Sequence, residues 1–552
     1  PFWLKLPPWS RAGRPLRSAV LGPAAIGPPL RLLQQLMTVT LSVVLASGAP
    51  VFPEGVSLKL GDSVGALRRR VALALGTGQF ELVAGSQRLV RQEATVEECG
   101  LTDGEVLTAV LVTLRRIYAT KSPGGDKGAF AALLGGGGVV AWGHSRTGGD
   151  CSAVKEQLTT GVEAIYSTGC AFAAVRTDGT VVTWGDPARG GDSSQVQDQL
   201  LGGVRHIFST RTAFAALLEG GAVVTWGEAA RGGDSARVRA QLAAGVESVA
   251  STHSAFAAIR AGGSVVLWGR PREGGSTWRT SAGAENELQV QQELSSGVRS
   301  ICSTMAAFAA LKEDGSVVCW GTIYVPRDAQ EGLVGGVESL HYTDSAFAAV
   351  KEDGSVVAWG NAETGGDCSR ARDRLATGVQ AVFANQRAFA AVLRDGSVAT
   401  WGDEEAGGDS SQVQEQLAGV QHIYATGFAF AAVLQGGAVV TWGDGRRGGD
   451  SSQVRDRLAA EGGPQRICST GSAFAALMAD GSVVTWGFGN AGGDSSGVQE
   501  QLQGDVQAVY ATEYAFAAAK RNGTVVTWGY ANSGGNSSKV REQLDNLQGR
   551  LN

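Results

Sequence analysis

The sequence is poor in the residues that most often carry out chemistry. Only five histidines and seven cysteines occur among 552 residues, and the sequence contains no CxxC motif and no mixed Cys/His spacing of the kind that holds zinc. An odd number of scattered cysteines favours reduced thiols in a reducing compartment. We therefore expect no metal and no cofactor. The cysteines are Cys99, Cys151, Cys170, Cys302, Cys319, Cys368 and Cys468.

The sequence also lacks long apolar runs and a basic surplus. No run approaches the ~18–20 apolar residues that span a bilayer, so we expect no membrane segment. The net charge is −5; residues 1–36 contribute +5 and residues 37–116 are neutral, which leaves −10 on the remainder. Because nucleic-acid affinity depends on a basic footprint, an acidic array excludes such a partner. We expect a cytoplasmic protein, with the nucleus as the alternative.

No catalytic constellation is evident. The five histidines lie at scattered repeat positions, and only His206 and His422 share one. The Ser-Ser pairs lack a repeated His partner, and the Gly-Gly-Asp motifs lack the spaced carboxylates of a calcium loop. Their Asp is expected to cap the helix that follows. We predict that the chain is not an enzyme and has no catalytic residues.

One sequence motif recurs along most of the chain. Ala346–Gly360, AFAAVKEDGSVVAWG, indicates two short strands joined at Asp353–Gly354. An Asp-Gly pair between apolar residues predicts a type I′ turn, in which both central residues have φ > 0. Ten copies are present, and their Trp-Gly endings begin at Trp142, Trp184, Trp226, Trp268, Trp320, Trp359, Trp401, Trp442, Trp486 and Trp528.

The spacing of the copies predicts a repeat architecture. Successive tryptophans are 39 to 52 residues apart, and five of the nine spacings are 42. A period in this range indicates stacked units that cannot bury their apolar faces alone. The module from Gly419 to Leu458 predicts three antiparallel strands, with a possible bulge in the first. A short helix over Gln453–Leu458 follows, docked through Val454 and Leu458.

Three strands repeated radially predict the blades of a β-propeller. We expect the Ala-rich middle strand near the axis and one Trp per module packed between adjacent blades. The recurring motif resembles the repeat of the regulator of chromosome condensation. Its shorter period and three strands are more similar to the propeller of the type II β-lactamase inhibitor protein. Two features depart from that family: Gly-Gly-Asp-Ser-Ser plus a helix replaces Gly-Gln-Leu-Gly, and Ala replaces the usual His of the second strand.

The resemblance covers residues 115–544 and implies seven blades, whereas ten modules stand here. The sequence leaves three alternatives: one larger ring, a seven-blade ring with three extra modules, or an open superhelix. The long connector Gly269–Leu294 and the short connector Thr322–Gly336 mark where regularity breaks. A functional loop is expected there.

Residues 37–114 form a different unit. Thr38–Leu45, Val51–Leu60, Phe80–Ala84 and Glu105–Leu114 read as strands. Asp62–Ser63 can cap a helix that places Val64, Leu67, Val71 and Leu75 on one face.

The stretch Leu82–Leu89, LVAGSQRL, resembles ubiquitin's Leu-Ile-Phe-Ala-Gly-Lys-Gln-Leu. The resemblance implies a small α+β ubiquitin-like (β-grasp) domain. Ser86 replaces the acceptor lysine and no di-glycine tail follows, so we interpret the unit as a fused module. In the family, partners dock on an apolar sheet patch, which carries over to Leu82 and Val110, beside Gly85. The alternative is that both are ordinary strand residues.

The ends of the chain are interpreted separately. Residues 1–36 are basic and acid-free and are expected to be disordered or artefactual, with a targeting peptide as the alternative. Residues 545–552 form a tail. The fold class predicted is therefore mainly β: ten three-stranded repeats with short connector helices, preceded by the ubiquitin-like domain.

Four functions are compatible with these expectations. The first is a non-enzymatic scaffold, whose ubiquitin-like domain recruits receptors of the ubiquitin type and whose propeller binds a second protein. The second, by resemblance, is guanine-nucleotide exchange on a small GTPase. The third is a component of a ubiquitin ligase, although no HECT domain is present. The fourth is inhibition of a hydrolase by the ring face.

Overall fold

The computed structural model describes residues 114–120, 127–277 and 284–540, and stretches of 38–111 between short gaps. The chain divides into two compact units, with the boundary between Leu111 and Val112. None of the helices in these ranges has the length and apolar character needed to cross a lipid bilayer.

The first unit contains a five-stranded sheet. Its strands are β1 (Thr38–Leu45), β2 (Val56–Lys59), β3 (Phe80–Ala84), β4 (Gln87–Arg88) and β5 (Val106–Leu111). They are ordered β2-β1-β5-β3-β4. The central pair β1 and β5 is parallel, whereas β1–β2 and β3–β5 are antiparallel. The predicted strands β1 and β3 are confirmed to the residue, and the predicted Val51–Leu60 strand is shorter.

The predicted helix packs on this sheet. Val64, Leu67 and Val71 are fully buried and join the core formed by the sheet. The Ser63 hydroxyl accepts a hydrogen bond from the Ala66 amide at 3.2 Å, which confirms its capping role. Leu75 lies outside the described residues.

The second unit contains ten three-stranded antiparallel sheets in the described residues, one per module. The first strands are Leu114–Ala119, Val162–Ser167, Val204–Ser209, Val246–Ser251, Val298–Ser303, Val337–Tyr342, Val379–Ala384, Val420–Ala425, Pro464–Ser469 and Val506–Ala511. The middle strands are Ala129–Leu134, Ala171–Arg176, Ala213–Leu218, Ala255–Arg260, Ala307–Lys312, Ala346–Lys351, Ala388–Leu393, Ala429–Leu434, Ala473–Met478 and Ala515–Lys520. The outer strands are Val139–Gly143, Val181–Gly185, Val223–Gly227, Val265–Gly269, Val317–Gly321, Val356–Gly360, Val398–Gly402, Val439–Gly443, Val483–Gly487 and Val525–Gly529.

Short helices connect the modules. Most connectors carry a 3-10 turn after Trp-Gly and a second one before the next module. The first set is Ser145–Thr147, Pro187–Arg189, Ala229–Arg231, Pro271–Glu273, Ala362–Thr364, Glu404–Ala406, Gly445–Arg447, Gly489–Ala491 and Ala531–Ser533. The second set is Ser152–Leu158, Ser194–Gln199, Ala236–Val238, Ser369–Ala371, Ser411–Gln416, Ser452–Val454, Ser496–Leu502 and Ser538–Val540. The α-helices of these connectors are Ala284–Glu293, Arg327–Gly332 and Arg455–Leu458.

Two local predictions have different outcomes. The bulge in the first strand is confirmed, because the register shifts between Val420 and His422. The type I′ turn is wrong. Gly354 has φ 78°, but Asp353 does not have a positive φ. The Asp353 carboxylate instead accepts hydrogen bonds from the Ser355 amide and hydroxyl, which holds the turn with a single left-handed glycine.

Aromatic stacking organises the space between modules. In each module the middle-strand Phe lies opposite the outer-strand Trp, with ring centroids 4.9–5.3 Å apart. In module two, the stacked Phe172 and Trp184 pack against Ala129 and Ala131 of module one. The small side chains of one sheet therefore make room for the stacked rings of the next. The prediction of Trp between blades is confirmed.

The position predicted for the Ala-rich strand is wrong. The first strands, not the middle strands, contact one another from module to module and surround the axis. The middle strand lies inside each sheet, where its alanines are fully buried between modules. Alanine is needed there because neighbouring sheets approach face to face.

The tenth module packs on the first. Phe130 and Trp142 of module one share a core with Ala515 and Ala517 of module ten. The Trp142 indole donates to the Gly534 carbonyl at 3.0 Å, as other tryptophans do to the preceding connector. The ten modules therefore form one closed ring. Closure is favourable because an open array would expose the Phe130–Trp142 pair to solvent. An aromatic side chain in a core buries roughly 150–250 Å² of surface.

Closure predicts a disulfide between the ends of the array. A Cβ built on Gly128 lies 3.4 Å from the Cβ of Ser533, close to the separation that a disulfide spans. Gly128→Cys combined with Ser533→Cys should therefore form an intramolecular cross-link under mild oxidation. Peptide mass spectrometry without reduction detects it. Ser345→Cys with Ser533→Cys is the control, and exclusively intermolecular linkage of the first pair would contradict a closed ring.

Candidate functional site

The turns between the first and middle strands lie at one end of the ring, which we call the turn face. Each turn is fixed by a threonine, or by Asn385 in module seven. The Thr168 hydroxyl accepts from the Cys170 and Ala171 amides at 3.1 and 2.9 Å and donates to the Arg189 carbonyl at 3.2 Å. The turn is thereby attached to the connector that follows its own module.

The residue after each such threonine or asparagine belongs to what we call the mouth ring. Backbone hydrogen bonds pass from turn to turn, as in Gly169 N to Arg211 O at 2.9 Å and Asp344 N to Gln386 O at 3.0 Å. This linkage holds the side chains at fixed positions around the axis. The described members are Gly169, Arg211, His253, Met305, Asp344, Gln386, Gly427, Gly471 and Glu513.

Glycines in the mouth ring make room for longer neighbours. A Cβ on Gly471 would lie 2.2 Å from a carboxylate oxygen of Glu513, and one on Gly427 would lie 2.9 Å from the amide carbon of Gln386. The side chains of Glu513 and Gln386 therefore lie over the adjacent glycines. The mouth of the axis is lined by side chains of mixed charge.

Burial dominates the electrostatics of this ring. It raises the pKa of Asp344 to about 7, and the carboxylate of Glu513 acts in the same direction, whereas Arg211 and Arg387 oppose it. Burial, followed by the guanidinium of Arg211, lowers the pKa of His253 to about 4. At Asp344 the effect of burial therefore outweighs the attraction of the two arginines.

The repeat breaks between modules five and six. The short connector, residues 322–336, lacks the 3-10 turn that follows Trp-Gly in the other connectors and the Gly-Gly pair that ends this turn, as at Gly365–Gly366. In nine modules the Trp indole donates to a connector glycine carbonyl at 3.0–3.1 Å. The buried indole nitrogen of Trp359 has no hydrogen-bond partner among the described residues, because this connector supplies no such carbonyl.

A cavity of about 380 Å³ lies beside the break. Its walls come from the mouth ring, through Met305 and Asp344, and from the short connector, through Thr322, Ile323 and Tyr324. A second cavity of about 350 Å³ lies between the short connector and the helix Ala284–Glu293. Both irregular connectors therefore border recessed surfaces.

Exposed apolar side chains concentrate in the same sector. In the described part of the repeat unit, large hydrophobic residues are exposed at Leu201, Leu288, Tyr324, Val334, Tyr342 and Phe488. Four of these six lie between residues 284 and 342, although that segment is a small part of the ring. Exposed apolar surface of this kind is typical of protein interaction sites. We call modules five and six with their connectors the irregular sector.

The residues predicted from the ubiquitin resemblance lie elsewhere. Leu82 is 1 % exposed and packs in the core of the first unit, so it cannot form part of a surface patch. This corrects the prediction for Leu82: alternation along β3 puts it on the same face as Ala84, which is also buried. Val110 pairs with Glu81. Its side chain and Gly85 lie outside the described residues, and their roles stay predictions.

The histidines that share a repeat position pack against aromatic rings. The Tyr166 hydroxyl lies 3.2 Å from Nδ1 of His206, and His422 contacts Phe383 and Tyr424. In the described residues no group of three or more His, Cys, Asp or Glu side chains is arranged to hold a metal ion.

Sequence reasoning missed the mouth ring. The available signal was variation: one position holds Gly, Arg, His, Met, Asp, Gln or Glu in modules that are otherwise nearly identical. The irregular connectors were found from their lengths, but the cavity beside Asp344 depends on packing that spacing does not reveal.

No family model and no curated protein matches the chain. Solved structures that match include the CRINKLY WD40 ectodomain of the Arabidopsis thaliana receptor kinase ACR4, at 17% identity over 52% of this chain and 98% of that chain, with a TM-score of 0.27. Prp20p from Saccharomyces cerevisiae matches at 15% identity over 55% and 80%, with a TM-score of 0.28. Human WBSCR16 matches at 15% identity over 50% and 83%, also with a TM-score of 0.28. At these values the likenesses carry no argument about what this chain binds or does.

The missing acceptor at Trp359 predicts unequal costs for the same substitution. Trp401→Phe removes a buried hydrogen bond to Gly365, worth about 0.5–1.5 kcal/mol, whereas Trp359→Phe removes none. Both variants lose similar aromatic area. Thermal unfolding should therefore show a larger fall in melting temperature for Trp401→Phe. Equal falls, or a larger one at Trp359, would contradict the account of the short connector.

The pKa of Asp344 predicts how stability depends on pH. Because its pKa rises from 3.8 to about 7 on folding, its favourable contribution is present at low pH and is lost as the pH rises through 7. Asp344→Asn has no carboxyl at this position, so only the wild type loses stability in this way. The melting temperature of the variant minus that of the wild type should therefore increase between about pH 5 and about pH 8. The lowered pKa of His253 makes stability rise with pH. His253 is present in both proteins, so its effect cancels in the difference between their melting temperatures.

Asp353→Asn is the matched control for that measurement. Its carboxylate accepts hydrogen bonds from Ser355, which lower its pKa, so its contribution is lost as the pH falls. The burial of Asp344 would be contradicted if the difference in melting temperature between Asp344→Asn and the wild type did not change with pH. It would also be contradicted if that difference changed with pH in the same direction as for Asp353→Asn.

Proposed function

We propose that the chain is a non-enzymatic interaction scaffold. In this proposal the irregular sector of the ten-bladed ring binds a protein partner, and the first unit recruits proteins of the ubiquitin pathway. The cytoplasm is the proposed location. The ring contributes a rigid frame, and the partner contacts the part of the frame where the repeat is interrupted.

The concentration of exposed apolar residues at the break carries the proposal. The apolar residues that define a module pack one blade on the next, as with the fully buried Phe in every module. Tyr324 and Val334, by contrast, are 61 % and 76 % exposed on a connector of unusual length. Loops on a rigid frame are where binding residues are usually placed.

The role of the first unit is supported by its sheet. A five-stranded sheet with a parallel central pair, a helix across it and the order β2-β1-β5-β3-β4 fits a ubiquitin-like domain. Recruitment of ubiquitin receptors follows from that resemblance. The surface used is proposed to be the face opposite Leu82, since that side chain is in the core.

Affinity capture with the full chain tests the scaffold. Leu288→Ser, Tyr324→Ser and Val334→Ser together replace the three most exposed apolar side chains of the irregular sector without removing core contacts, because each side chain is mostly in solvent. We expect partners captured by the wild type to be depleted at least tenfold with this triple variant. Quantitative mass spectrometry of the captured proteins measures the depletion.

Leu201→Ser with Phe488→Ser is the control for exposed apolar area outside the sector. It should retain the partners. Equal capture by the wild type and the triple variant, or loss only in the control, would contradict the proposed surface. Absence of any partner with the wild-type chain would contradict the scaffold itself.

A further inference from the structure

The cavity beside the mouth ring has an asymmetric lining. Met305, Ala306, Ile323 and the ring of Tyr324 supply apolar wall, and one carboxyl group, that of Asp344, lines the same space. Tyr324 stands at the rim and is 61 % exposed, whereas Ile323 is 3 % exposed. Because Asp344 is half-buried, an occupant meets the exposed aromatic ring first and the carboxyl group further in.

The cavity exists because the short connector does not cover the turn face as the others do. After module six, the connector places Gly365 against the ring of Phe389, so closely that a Cβ there would lie 2.5 Å from it. After module five, the chain runs through Ile323 and Tyr324 instead, and the Ile323 side chain reaches Gly360. Space over Met305 and Asp344 is left open.

Two of the polar side chains in the lining already have hydrogen-bond partners. The Thr322 hydroxyl donates to the Arg272 carbonyl at 2.6 Å, and the Asn361 side chain accepts from the Glu363 amide at 2.9 Å. The Asp344 carboxyl is the acidic group in the wall and therefore the one that can carry the charge to pair with a cationic occupant.

The charged groups around Asp344 do not offset the effect of its burial. Glu513 repels it, and Arg211 and Arg387 attract it. The guanidinium of Arg387 is shared, because its Nε donates to the Asp403 carboxylate. A cation that entered the cavity would relieve the cost of burying this carboxylate, whereas an apolar occupant would increase it.

We propose that this cavity takes the side chain of a lysine from the protein partner, with the methylene stem against Ile323, Met305 and Tyr324 and the ammonium group at Asp344. A lysine fits better than an arginine. One carboxyl group leaves fewer donors unpaired on an ammonium, which has three, than on a guanidinium, which has five. This inference rests on the proposed scaffold function and names the chemistry of its partner.

The test uses the purified full chain and a small probe, Nα-acetyl-lysine methylamide, followed by ligand-observed NMR. We expect saturable binding on the order of millimolar affinity, as suits a ligand of this size. The uncharged analogue Nα-acetyl-norleucine methylamide has a stem of the same length and should bind at least tenfold more weakly. Asp344→Asn should weaken binding of the lysine probe at least tenfold.

Two further variants keep the result interpretable. Asp353→Asn removes a carboxylate of the same module at an exposed turn and should leave binding unchanged. Tyr324→Ser alters an exposed rim residue, so the protein should fold, and binding should weaken. Equal binding of the two probes, no saturable binding to the wild type, or unchanged binding in Asp344→Asn would overturn the proposal.

Failure of the lysine site can be distinguished from failure of the proposed scaffold function. If no protein partner is captured but the lysine probe binds at Asp344, the cavity stands and the scaffold does not. If partners depend on the irregular sector but Asp344→Asn keeps both partners and probe, the scaffold stands and the lysine site does not.

Discussion

Stacked rings of Phe and Trp need a partner surface that their own sheet does not supply. Each module offers the pair on one face and alanines on the other, and the alanine face of one module receives the rings of the next, as between Ala129 and Phe172. The indole nitrogen adds a hydrogen bond to the preceding connector in nine modules. Because the same contact joins module ten to module one, closure of the ring follows from the unit that builds it.

A ring built this way uses nearly all of its apolar side chains internally, so departures from the repeat are conspicuous. They collect at modules five and six: a connector without the 3-10 turn and the Gly-Gly pair that ends it, an indole without its acceptor, exposed Tyr324 and Val334, and a cavity beside Asp344. The frame tolerates these losses because neighbouring interfaces are independent of them. A binding surface placed there costs the ring about one hydrogen bond, roughly 1 kcal/mol.

Much of the fold could be predicted from the sequence, since a repeated pattern averages out local ambiguity. The strands, the bulge at Val420–His422 and the Trp between blades followed from period, alternation and residue size. The turn type was predicted wrongly from the Asp-Gly pair alone, because the Asp353 carboxylate accepts local hydrogen bonds from Ser355, two residues further on. The site was harder. Irregular connector lengths predicted where the repeat is interrupted. Leu82 was assigned to a surface through the ubiquitin resemblance, and strand alternation alone could not correct this, because it does not say which face of the sheet is inside.

Single-particle electron microscopy of the full chain tests the central claim most directly, because class averages viewed along the axis count the blades. The packing of Phe130 and Trp142 on Ala515 and Ala517 predicts one closed ring of ten blades. An open arc, or a ring of seven with three modules apart from it, would contradict the account.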